Sequence, residues 1–245
     1  MEPEGSGGVV EMERKWGRQA PEEIDWMRWA LESDRPGELL LELQRSGEIR
    51  RYPELAALVD VPQEPQWHPE GPVHLHTAHV LNAAAAIAER EGLESETRAV
   101  LLFSALTHDL GKPSTTVRRT RDGRARWTSY GHDRVGVPIA ARLLRRLGIS
   151  ERIIQRVQPL VAEHMAYYAF KDPQAGVRTA RKLAQRVAPA TLRELLYLIE
   201  ADHSGRPPLP PQLPPAAQRL RDLAERAGVL DGLPHEPRDA PFELR

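Results

Sequence analysis

The segment from Glu94 to Leu110 sets the tightest limit on what this chain can become. Val100, Leu101, Phe103, Ala105 and Leu106 make it apolar on most sides, and a helix without a polar face is stable only at the centre of a molecule. The helices that would surround it are legible. Residues 73–92 form an Ala-rich helix closed by Gly92. Helical periodicity returns at His132–Leu147, Glu151–Phe170, Gly176–Val187, Thr191–Ala201 and Ala216–Ala227. Upstream, Trp26, Trp29 and Ala30, then Leu39, Leu40 and Leu43 after Pro36-Gly37, space two short amphipathic helices, and a third covers Pro53 to Leu58.

Prolines and turn residues mark the breaks. Residues 61–72 hold four prolines and read as an extended loop, and residues 205–215 hold six and read as a polyproline connector. Between Thr115 and Tyr130, the β-favouring Thr115, Thr116, Val117, Trp127 and Thr128 flank Asp122-Gly123, the pattern of a small hairpin. Its arginines, Arg118, Arg119, Arg121, Arg124 and Arg126, about a polar turn suit a flexible rim. Residues 1–20 are rich in Gly and charge without periodicity, a disordered lead-in. The expected organisation is therefore that lead-in, a helical domain over 21–204, and a connector, terminal helix and Pro-rich tail over 205–245. The fold class is all-α with one small β insert.

Composition narrows the chemistry. None of the 245 residues is Cys, which removes disulfides, thiolate metal sites and cysteine nucleophiles. Any metal must sit on imidazole nitrogen and carboxylate oxygen. Lys plus Arg total 34 against 35 Asp plus Glu, a net charge of -1, so strong binding to duplex nucleic acid is not expected. No apolar run approaches the roughly 18–20 residues of a spanning helix, and the first residues are acidic with no apolar stretch. The expectation is a cytoplasmic protein without membrane contact. A phosphate-binding P-loop is excluded at Gly111-Lys112, because Leu106 stands where its first glycine belongs and Pro113 replaces Ser or Thr.

Histidine placement carries the functional signal. Eight of nine histidines lie between His68 and His203. His108-Asp109 falls where the apolar helix ends, in Thr107-His108-Asp109-Leu110-Gly111-Lys112. Adjacent residues at an unwinding helix end can turn toward one point, and buried polar groups need partners. An imidazole and a carboxylate there offer a divalent cation two unlike ligands.

The order His76, His108-Asp109, Asp202 over three helices resembles the metal-binding signature of the HD phosphohydrolase superfamily. Longer stretches are similar to the HD domain of bacterial CCA-adding tRNA nucleotidyltransferases: Tyr52-Pro53-Glu54-Leu55, Val61-Pro62-Gln63, Trp67-His68-Pro69-Glu70-Gly71, His76-Thr77, His108-Asp109-Leu110-Gly111-Lys112-Pro113, Tyr130-Gly131-His132 and Glu200-Ala201-Asp202. The similarity covers about residues 35–206. The nucleotidyltransferase head of that family has no counterpart in these residues, so CCA addition is not expected and a free-standing HD domain is.

The resemblance implies an HD-domain helical bundle. It makes His76, His108, Asp109 and Asp202 the ligands of a first metal, Mn, Fe, Ni, Co or Mg rather than structural zinc. His132 and His164 match positions that either ligate a second ion or contact phosphate, and both roles stay open. Lys112 reaches phosphate or complements the helix dipole, and Arg206 follows Asp202 toward the same pocket. Thr115, Thr116 and Arg134 are candidate rim residues. His79 is assigned to packing or to support of the ligands, His74 and His203 to exposed flanks, His68 to a structural loop and His235 to the exposed tail. The implied activity is metal-dependent phosphodiester or phosphomonoester hydrolysis of nucleotides, cyclic nucleotides or RNA-end phosphates. Asp109, Lys112, His132 and His164 would act in catalysis, with Lys112, His132, His164 and Arg206 on the substrate. Two alternatives stand beside it: a non-catalytic RNA- or protein-binding module, and a nucleoside triphosphate hydrolase.

Overall fold

A computed structural model describes residues 23–121 and 123–233; the expectations for residues 1–20 and His235 lie outside them. The described residues begin with α1 (Trp26–Glu32) and α2 (Pro36–Ser46), a 3-10 turn at Glu48–Arg51 and the single turn α3 (Pro53–Ala56). Then come α4 (Val73–Arg90), α5 (Ser95–Thr107) and the short α6 (Lys112–Thr115). Strands β1 (Val117–Arg121) and β2 (Arg124–Thr128) pair antiparallel as a two-stranded hairpin. Helices α7 (His132–Arg146), α8 (Glu151–Glu163), α9 (Val177–Val187), α10 (Leu192–Ser204) and α11 (Pro215–Ala227) complete the body. This is an all-α bundle with a small hairpin.

Helix α5 is the centre, as its sequence requires. Every residue from Ala99 to Thr107 is buried, and α5 packs on α1, α4, α8 and α10. Local signals start and stop the surrounding helices. Asp25 caps α1 by accepting from the Arg28 amide at 2.9 Å, and Thr191 and Glu194 form a reciprocal capping box on α10. Gly47 and Gly228 end α2 and α11 in the left-handed conformation. Ala217, Leu220 and Ala224 of α11 belong to the same hydrophobic core as Leu101 and Leu106.

Two glycines fix how the helices that carry the histidines meet. A Cβ on Gly111 would lie 2.1 Å from the His132 carbonyl oxygen, so only glycine lets the turn after α5 press against the start of α7. A Cβ on Gly205 would lie 2.5 Å from Val80 Cγ2, so the end of α10 closes directly onto α4. The expected single helix over Glu151–Phe170 is divided: α8 stops at Glu163, and a 3-10 segment covers Ala166–Lys171. The break turns His164 inward while Tyr167 and Phe170 still reach the core.

Candidate metal centre

His76 stands in the second turn of α4, His108 and Asp109 follow α5, His132 opens α7, His164 follows α8 and Asp202 lies near the end of α10. Five elements therefore deliver their polar residues to one point. All are buried except Asp202, which is partly open.

Three of the imidazoles are anchored in the same way. The Nδ1 of His108 lies 2.9 Å from the Ala105 carbonyl, that of His132 2.7 Å from Ser129, and that of His164 2.7 Å from Val161. A carbonyl only accepts, so each Nδ1 carries the proton and each Nε2 presents a lone pair to the cluster. His76 differs. Its Nδ1 faces Glu70 Oε1 at 2.8 Å and its Nε2 faces Asp202 Oδ1 at 3.0 Å.

Asp109 stands between two groups. Its Oδ2 is 3.3 Å from His108 Nε2 and 3.9 Å from His76 Nε2, and its Oδ1 is 3.3 Å from His132 Nε2. Neither oxygen has an aligned hydrogen bond, and neither does His108 Nε2, although all three atoms are buried. The Lys112 ammonium lies 2.7 Å from Asp109 Oδ2 and donates to Gln63 Oε1 at 2.7 Å.

Charge follows from these contacts. Burial would raise the Asp109 carboxyl, but the electrostatic pull of the neighbouring His108 ring and Lys112 ammonium prevails and holds it well below the usual range. Burial opposes ionisation of Asp202 too, and its bond to His76 outweighs that. For His76, burial favours the neutral ring, yet Asp202 and Glu70 together raise it to about 9. Burial, with His132 and His108 nearby, lowers His164 to about 4. Burial likewise lowers His132, against the pull of Asp109.

The donor set suits a divalent cation. Ligand atoms of His76, His108 and Asp202 lie within 4.8 Å of one another, as do those of Asp109, His132 and His164. Orphaned buried oxygens and an orphaned imidazole nitrogen are groups a cation would satisfy, and nitrogen with carboxylate oxygen is a donor set for first-row metals.

Above the cluster opens a cavity of about 580 Å³. Asp109, Lys112, His132, His164, Asp202 and Arg206 all face it. Thr115, Thr116 and Arg134 do not: the Thr115 hydroxyl donates to the Gly111 carbonyl, Thr116 bonds Ser129, and Arg134 is exposed elsewhere. His79 is half-buried and stands off the cavity.

Three histidine assignments need correction. His74 is buried at the start of α4, near Asp60, and its Nδ1 has no hydrogen-bond partner. His203 is partly buried on the cavity wall, its Nδ1 accepting from the Arg206 guanidinium and its Nε2–H donating to the Tyr167 hydroxyl at 2.6 Å. His68 also reaches the cavity, with its Nδ1 2.9 Å from Glu70 Oε1. Glu70 itself was missed by the residue-level reading. Its loop position shows no periodicity; its place inside His68-Pro69-Glu70-Gly71 was the available signal.

The HD domain family matches residues 73–226, from the start of α4 to the last turn of α11. The chain belongs to the HD domain family. This is a family of metal-dependent phosphohydrolases that bind divalent metals. Among similar proteins is the Multifunctional CCA protein of Nitrosococcus oceani, 34% identical over 195 residues, which are 76% of this chain and 43% of that protein. The Multifunctional CCA protein of Burkholderia pseudomallei is 30% identical over 239 residues, covering 92% of this chain and 54% of its own length. That of Vibrio vulnificus is 28% identical over 210 residues, covering 83% and 48%. The chain thus spans about half the length of the curated relatives it matches. Among the described residues, no helix is long and apolar enough to cross a membrane.

Proposed function

We propose that this HD domain hydrolyses phosphate esters of nucleotides, as a phosphodiesterase or phosphatase acting on cyclic nucleotides, nucleotides or RNA-end phosphates. The observation that carries the reading is Asp109: a buried carboxylate with no aligned hydrogen bond at either oxygen, Oδ2 turned to His108 and the Lys112 ammonium and Oδ1 to His132, at the floor of an open cavity. His76, His108, Asp109 and Asp202 would hold the first cation. His132 and His164 would hold a second with Asp109, because lone pairs at both Nε2 atoms suit a metal and do not suit a phosphate oxygen, which needs a donor.

When bound, a divalent cation supplies Lewis acidity, polarising a phosphoryl oxygen and generating a nucleophile from water near neutral pH. The protein's own groups supply position and charge. Lys112 is held by Gln63 at the cavity floor, where its ammonium can neutralise non-bridging phosphate oxygens as substrate enters. Arg206, beside His203 on the wall, offers a second cation to the leaving side. Asp109 stays ionised at every working pH and orients whatever lies between the two imidazole groups.

The test is metal analysis of protein purified without chelator, followed by turnover of cyclic nucleotides, nucleoside monophosphates and triphosphates under Mn, Ni, Co and Mg. Monophosphate or cyclic phosphate hydrolysis that disappears in Asp109→Ala, with the helical circular dichroism unchanged, is the expected result. Metal binding without turnover of any ester would overturn the hydrolase reading in favour of a binding module.

A further inference from the structure

The hairpin β1–β2 has a charge pattern unlike the rest of the surface. Residues 117–128 contain five Arg and one Asp in a chain whose net charge is -1. Several arginines elsewhere face carboxylates: Arg90 with Glu200, Arg146 with Glu54, Arg156 with Glu194, Arg186 with Glu163 and Arg193 with Asp231. Among the described residues, Arg118, Arg119, Arg124 and Arg126 face none, and all four are exposed. The register makes this costly, since Arg119 pairs directly with Arg126 across the ladder, and like charges in that position repel. Arg124 shares their face, because side chains alternate along a strand.

That face leads into the cavity. The Arg119 guanidinium lies 5.9 Å over the ring of Tyr130, which is 72% exposed at the cavity mouth. Tyr168, with Lys171 4.2 Å over its ring, stands on the cavity wall, and Trp67 is 55% exposed beside it. Exposed aromatic rings around an open cavity of about 580 Å³ are platforms for unpaired bases.

We infer that the β1–β2 hairpin binds the backbone of a single-stranded polynucleotide and delivers the end of that strand into the cavity. The inference rests on the proposed function and narrows it to esters at the end of a strand rather than free nucleotides. Arg124 and Arg126 stand about 7 Å apart along one face of β2 with Arg119 across from Arg126, a ladder that backbone phosphates neutralise. Their mutual repulsion is then the cost of a site that is complete only with polyanion bound. A near-neutral molecule with one such ladder accepts a flexible strand more readily than a rigid duplex, whose paired bases cannot reach Tyr130, Tyr168 or Trp67.

The experiment compares wild type with Arg119→Gln/Arg124→Gln/Arg126→Gln; none of the three side chains lines the cavity. Anisotropy of a labelled oligouridylate of about ten nucleotides with a 3′-hydroxyl end, a length within the range single-strand sites occupy, is read across a salt series. In parallel, turnover of bis(p-nitrophenyl) phosphate reports on the metal centre alone. The variant should bind the strand at least about tenfold more weakly, with the log–log salt slope reduced by about 2, roughly 0.7 for each lost contact. Its turnover of the small ester should match wild type. Equal strand affinity in the two proteins, or equal wild-type affinity for a duplex of the same length, would overturn the inference. Absence of small-ester turnover in wild type would instead overturn the proposed function, while the anisotropy still judges the hairpin.

Discussion

The Nε2 atoms of His132 and His164 face each other at 3.0 Å, while each ring spends its Nδ1 proton on a backbone carbonyl. Two lone pairs at that distance repel unless something positive lies with them. A proton is disfavoured, since burial lowers His132 and takes His164 to about 4. A cation shared with Asp109 resolves the conflict.

Replacing both histidines by Ala should therefore halve the metal content per chain, measured by atomic emission after dialysis, and lower turnover. A stoichiometry that stays at one with reduced substrate binding would assign the pair to phosphate instead. Unchanged content and unchanged kinetics would remove both roles.

Gly111→Ala tests how the centre is assembled. The added methyl meets the His132 carbonyl at 2.1 Å, and backbone cannot rotate away as a side chain can. Overpacking of this kind costs about 3 kcal/mol, which for a domain of this size lowers Tm by about 6–12 °C. Metal affinity should fall with it, because the shift moves His132 relative to Asp109. Thermal unfolding and titration calorimetry read the two effects, and an unshifted Tm would show that the α5–α7 approach is not tight.

The sequence carried the helices and the cluster of histidines and carboxylates, and the reasons are local. Helix α5 could be placed at the centre because an apolar wheel has one solution, and His108-Asp109 stood out because a polar pair ends it. What was illegible depended on tertiary contact. His74 looked like an exposed flank since nothing in its own helix tells that tertiary packing buries it. His203 looked alike, although Tyr167, 36 residues away, supplies its partner. The end of α8 was missed because the apolar spacing of Tyr167 and Phe170 continues a helical rhythm that the 3-10 segment also satisfies. Glu70 belongs to a proline-rich loop, and its value appears only where His68 and His76 converge on it.

Glu70→Gln follows from that convergence. Glu70 is held down to about 2: burial opposes its charge, and hydrogen bonds from His68 and His76 prevail. It receives His76 Nδ1 at 2.8 Å and so orients Nε2 toward Asp202. Losing such a partner typically weakens metal binding by about 10–100-fold. Calorimetric titration with Mn should show that loss near pH 8, with the helical circular dichroism unchanged. Affinity equal to wild type would remove Glu70 from the centre.

Metal uptake should depend on pH through His76. In the metal-free protein both of its nitrogens hold protons, Nδ1–H toward Glu70 and Nε2–H toward Asp202, and the ring is raised to about 9. A cation at Nε2 must displace that proton, so binding releases one, and the apparent Kd should fall about tenfold for each pH unit up to about 9. The same shift stabilises the metal-free fold. A raised imidazole contributes fully below its ordinary value of 6.5 and loses the contribution as pH climbs through about 9. The Tm of chelator-treated protein should accordingly decline over that window, while that of metal-loaded protein should hold or rise. Glu70→Gln removes one of the two groups that retain the proton, so its affinity deficit should be smaller at about pH 6 than at about pH 8. Calorimetry in buffers of different ionisation enthalpy counts the released protons, and a count of zero below pH 9 would show that His76 binds no metal through Nε2.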